Sequence, residues 1–175
     1  MALFGIKIML GRVAAFWGFV GVCLFLGSAI AKLSVIAVQI DFNALTIWQW
    51  AVMCTWIVFM AYFEGYKGFQ QSFSPRVASR VRYLLKNLTP LRFLLAPLFC
   101  LGFFDAERKR IIFIFCLTAG IMLIVSLVKH MPMPWRGIMD IGVVVGLSWG
   151  LTSVVLFSLK ALFTKNFNYP AGVPE

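Results

Sequence analysis

Apolar positions fill four long blocks of this chain, Val13 to Ile40, Leu45 to Phe63, Ile111 to Val128 and Gly137 to Leu159. Short polar turns separate them, except where the basic section 64–110 intervenes between the second and third. Each block falls in or above the range of about 17–25 residues that carries an α-helix across a bilayer. The pattern predicts an all-α integral membrane protein: one polytopic domain over residues 1–175, with transmembrane helices at about 13–40, 45–63, 111–128 and 137–159. Trp48 and Trp50 at the head of the second block, and Trp135 before the fourth, stand where an aromatic belt meets the membrane–water boundary.

The section 64–110 has a different rhythm. Ser74-Pro75 reads as an N-cap followed by a proline at the first helical position. From there Val77, Val81, Leu84, Leu85 and Leu88 recur at helical spacing, while Arg76, Ser79, Arg80, Arg82 and Lys86 take the flanks and back. This predicts a basic amphipathic interfacial helix on an anionic leaflet, with Arg76, Arg80, Arg82 and Lys86 contacting lipid headgroups. Thr89-Pro90 repeats the helix start. The apolar stretch Leu91 to Phe104, interrupted by Pro97, would reach only about 21 Å as a helix. A short re-entrant or half-buried helix between the second and third spans is expected there.

Composition changes the choice of solvent rather than of secondary structure. The 175-residue chain is 62% hydrophobic and 13% charged, with a mean hydropathy of +0.93. A soluble fold this small could not hide so much apolar surface. The net charge of +10 alternates with the apolar blocks, so it reads as the positive-inside rule and not as nucleic-acid binding. With four crossings, 13 of the 16 Lys and Arg fall on one side, leaving Lys32, Lys129 and Arg136 on the other. Both termini are therefore expected in the cytoplasm, with a bacterial inner membrane as the location. A secretory leader cut after Ala29-Ile30-Ala31 is the rival reading of the first block, but the apolar run continues past that point.

Candidate chemistry is sparse. Cys23, Cys54, Cys100 and Cys116 all lie in apolar stretches without a C-x-x-C pair, so neither disulfides nor zinc is expected. His130, Met131 and Met133 offer soft copper ligands, yet their crowding between Pro132 and Pro134 reads better as a rigid loop. No catalytic residue, cofactor or metal is expected. Asp140 is the carboxylate inside a span, and Arg136, four residues earlier, is its expected ion-pair partner. Glu64 with Lys67 reads as a similar local pair at the opposite boundary.

The most specific signal is structural. Gly142, Gly146, Gly150 and Ser153 lie along one helical face, and Gly18 and Gly21 of the first span offer a complementary small surface. Small residues let transmembrane backbones approach closely. The stripe is expected to close the chain's own bundle, with packing between chains as the alternative. Together these features point to a non-enzymatic accessory or assembly subunit of a larger membrane complex. Its expected partners are anionic lipid headgroups and other membrane-protein subunits or copies of itself. A small transporter or channel component, using Asp140 and the Pro97-broken segment, is one alternative; a lipid-binding membrane protein is another.

Overall fold

A computed structural model describes residues 2–164, 167 and 169–173, with side chains from Met9 onward. The helices in chain order are α1 (Ala2–Ala37), α2 (Ile47–Met60), a π-helical segment (Ala61–Phe73), α3 (Ser74–Leu84), α4 (Pro90–Leu94), α5 (Ala96–Leu101), α6 (Arg108–Val128) and α7 (Trp135–Phe163). No strand occurs among the described residues.

Three helices are long and apolar enough to cross a membrane: Met9–Ala37 of α1, all of α6, and α7. The expected span 45–63 does not stand as a separate long helix. Its α-helical part covers the 14 residues of α2 and then runs on without a break. Thr46 starts it, accepting the Gln49 N–H while the Gln49 side chain accepts the Thr46 N–H. This reciprocal capping box was present in the sequence as Thr46-x-x-Gln49.

Met60, Ala61, Phe73 and Ser74 all keep right-handed helical dihedrals, so α2, the π-segment and α3 form one rod from Ile47 to Leu84. The expected α-helix does start at Ser74, with Pro75 in its first turn. Ser74 is not its N-cap, however: no side-chain cap forms there, and the helix continues the rod. A proline within a helix has no N–H to donate and crowds the carbonyl four residues earlier. The wider π-turns just before it relieve that crowding. Thr89 does cap as expected, accepting from the Arg92 N–H at 3.3 Å.

Packing centres on α7, which lies against α1, α2, the π-segment and α3. One core joins Ala15, Val22 and Leu26 of α1, Val77, Val81 and Leu84 of α3, Phe99 of α5 and Val154 of α7. A smaller core at the other end of α7 joins Ile40, Met53 and Ile138. The segment 91–104 packs partly against the body, with Ala96, Phe99 and Cys100 buried. It breaks at Leu95 into α4 and α5, and α5 ends on Gly102 in the left-handed region (φ +89).

α6 is the exception. Its first turns touch the body, with Ile114 beside Gly102 and the Phe115 ring 5.5 Å from Phe103. Beyond that, no other helix among the described residues packs along it. Ile121, Met122, Leu123 and Ile124 point in four directions around the helix, and each is more than half exposed.

Candidate functional site

The glycine face of α7 is occupied by the rod, residue against residue. Gly142 seats Trp56 and Met60, Gly146 seats Glu64, and Gly150 seats Phe69. Ser153 continues the line, its hydroxyl donating to Ser74 Oγ at 2.7 Å. The rod reciprocates once: Gly65 takes Trp149, whose indole N–H donates to Gln70 Oε1 at 2.8 Å. Trp56 Nε1 donates to the Met139 carbonyl at 3.1 Å, giving its polar edge a partner inside an apolar contact.

The stripe is therefore internal, but its partner is not the one expected. Gly18 faces Ala96 and Cys100, and Gly21 faces Pro97, so both serve α5 instead. The small residues of α1 let the broken segment close onto it. Those of α7 admit large side chains from the rod.

Two carboxylates sit in this arrangement. Arg136 Nε lies 4.0 Å from Asp140 Oδ2, one helical turn apart. That is a charge contact and not a hydrogen bond, and Asp140 Oδ2 is buried with no hydrogen-bond partner. Asp140 shares a face of α7 with Leu147, Leu151, Val154 and Ser158, turned away from the glycines. Glu64 departs further from expectation. It is turned inward onto Gly146, near the middle of α7, with Oε2 shielded and without a hydrogen-bond partner. Lys67 turns away from it and sits over the Tyr62 and Phe63 rings, 5.2 and 5.4 Å from their centroids. The sequence held a signal for this: Met53, Met60 and Glu64 are seven and four residues apart, one helical face.

A second centre surrounds Arg80. This side chain is 1% exposed, and its five N–H groups are taken by backbone carbonyls. Nε donates to Ala171, one terminal nitrogen to Phe99 and Phe104, and the other to Asp105 and Gly172. The guanidinium also lies over the Phe99 ring, 4.9 Å from its centroid. An arginine keeps its charge even when buried, so these five carbonyls surround a cation. Arg92 pairs with Asp105 at 2.5 Å, so Asp105 offers Arg80 its carbonyl and Arg92 its carboxylate. Ser79 adds a 2.8 Å bond to the Tyr169 carbonyl, and Arg82 reaches the Phe167 carbonyl at 3.4 Å.

Arg80 is thus not a lipid-contact residue. It ties α3, the end of α5, the following turn and the segment 171–172 together. Arg76 bonds Ser72 Oγ at 2.9 Å, and Lys86 is exposed. The expected surface helix is instead a core helix: Ser74, Pro75, Val77, Ala78, Ser79, Arg80, Val81 and Leu84 are all buried. The missed signal was spacing. Arg80 stands three residues after Val77 and four before Leu84, within the apolar stripe and not behind it.

His130 Nδ1 lies 2.7 Å from the Ser126 carbonyl, at the end of α6, while Met131 and Met133 are exposed. No group of three or more His, Cys, Asp or Glu that could hold a metal occurs among the described residues. Comparisons with known protein families, curated proteins and solved structures return no match to this chain.

Proposed function

We propose that this chain is a non-enzymatic accessory or assembly subunit of a larger membrane complex, and that α6 is the helix it offers to a partner. The observation that carries this reading is the isolation of α6 from a body that otherwise packs closely. Lipid alone could cover a helix this apolar. Yet its middle holds Thr118, Ala119 and Gly120, with open space around Gly120, and a small waist favours close approach of another helix.

In the proposed topology the rod supplies a fourth crossing, and both termini face the cytoplasm of a bacterial inner membrane. The basic residues Arg108, Lys109 and Arg110 at the head of α6, and Lys86, then face anionic headgroups. Copurification in mild detergent tests the proposal. A partner, or a second copy, should accompany the wild type and be lost with Gly120→Leu, while the variant chain stays folded. A lone monomer in both cases overturns it. Reporter fusions at Lys86 and His130 should report opposite sides of the membrane; a same-side result removes the topology.

A second reading, a small transporter or channel component, is favoured by the unpartnered buried oxygens of Glu64 and Asp140. Asp140→Asn should then change flux or its pH dependence, and unchanged transport would remove Asp140 from that role.

A further inference from the structure

We propose that the Glu64 carboxyl is a proton-binding site: it holds a proton at neutral pH while seated on Gly146. The inference stands independently of the partner proposed for α6.

The geometry supports it in three ways. First, the seat is built by an absence. A Cβ on residue 146 would lie 2.6 Å from Glu64 Oε2 and 3.1 Å from its Cδ, so a glycine is what leaves room for the carboxyl group. Second, Oε2 is shielded and accepts no hydrogen bond. Glu64 is half-buried, and an ionised carboxylate there would lose the hydration of this oxygen with no protein hydrogen bond in return, a cost that favours the neutral form. Third, among the described residues no cation is paired with this carboxyl. On the π-segment itself, Lys67 is turned out over aromatic rings. On α7, Asp140 faces away, Arg136 sits beside Asp140 at the head of the helix, and Lys160 is exposed near its other end. α2 contributes no charged side chain. Within α3, Arg80 and Arg82 reach backbone carbonyls, and Arg76 bonds Ser72.

A proton fits this site better than a metal ion. Hard cations need several oxygen ligands around them, whereas one lone pair is enough for a proton. The position adds meaning, because Glu64 opens a π-helical segment, a backbone form often found at functional sites. The proton comes from water and returns to it, and no other bond changes. Its loss leaves a charge against the glycine seat and loosens the contact between α7 and the rod.

The test is carboxyl labelling of the full-length protein in detergent with a hydrophobic carbodiimide, which reacts with the protonated group, followed by peptide mass spectrometry. An ordinary glutamate with pKa about 4.3 is protonated in only about one molecule in 500 at pH 7, roughly eightyfold less than at pH 5. The Glu64 peptide should instead label to within about threefold at these two pH values. Glu64→Gln should abolish that label, and Asp140→Asn should retain it. As a second readout, the wild type should lose Tm relative to Glu64→Gln between about pH 5 and pH 8, since a carboxyl kept neutral by folding loses stability as pH rises. A Glu64 label that collapses by pH 7 like that of a surface carboxyl, or a parallel Tm profile for both proteins, overturns the proposal. Protection of the label by sodium at constant pH also overturns it, in favour of a metal-ion site.

Discussion

α6 and α7 are both long apolar helices, and they differ in the direction opposite to what a soluble protein teaches. The most apolar window of α6 has a mean hydropathy of 2.9 and none of its residues is buried, while that of α7 has 1.9 and a third are buried. In water the more apolar helix would be the better packed. In lipid the tails are as apolar as leucine, so association follows shape and polar contacts instead. α7 carries Gly142, Gly146, Gly150 and Ser153 on one face and Asp140 on another. α6 carries one glycine with nothing near it. The less hydrophobic helix became the centre of the fold because it has seats for its neighbours.

The sharpest way to break that contrast is to remove the node at the end of the bundle where α3 and the segment 171–172 meet. Arg80→Ala would leave the buried Phe99 carbonyl and the part-buried carbonyls of Ala171 and Gly172 without this donor and should cost about 3 kcal/mol. Thermal unfolding in detergent would read it, and Arg80→Lys should recover little, because an ammonium cannot match a planar five-donor fork. Next in size is the glycine seam. Gly150→Leu drives a side chain into the Phe69 ring and should destabilise by about 1–3 kcal/mol. The matching change on the other helix, Gly120→Leu, meets open space, and in the isolated chain should stay within about 0.5 kcal/mol of wild type. Equal losses at the two glycines would erase the distinction drawn between the helices.

The smallest effect is chemical and leaves the fold intact. Cys116 of α6 is exposed and Cys100 of α5 is buried. A membrane-permeant maleimide should therefore modify Cys116 and spare Cys100 in the isolated chain. Protection of Cys116 in the native membrane, lifted by detergent extraction, would show that something covers α6.

Much of this architecture was legible in the residues. Membrane-length runs give α1, α6 and α7, and the cap at Thr89 and the break around Pro97 are where local chemistry puts them. The glycine face of α7 was also readable, since helical periodicity alone defines it. What occupies that face was not, because periodicity names a surface and never the neighbour. Small residues on α1 suggested a match of like with like, whereas the rod fills the seats with Trp56, Glu64 and Phe69. Arg80 failed for a different reason. A cation on an amphipathic helix is expected at anionic headgroups, although the place of Arg80 in the stripe of Val77 and Leu84 argues otherwise. The carbonyls that satisfy it come from residues 19 to 92 positions away, a relation no local pattern encodes. Glu64 was assigned to a membrane boundary on the premise that the helix ends at Phe63. The rod does not end there, and the carboxyl goes inward with it.

The Arg80 node also sets an order of events during synthesis. α1, α3 and α5 are made while two of the carbonyl groups that Arg80 needs do not yet exist. Ala171 and Gly172 follow it by 91 and 92 residues. Until they leave the ribosome, Arg80 must keep water or a lipid phosphate as a temporary partner, and α3 cannot seal. Closure of the bundle is thereby deferred until translation has passed Gly172.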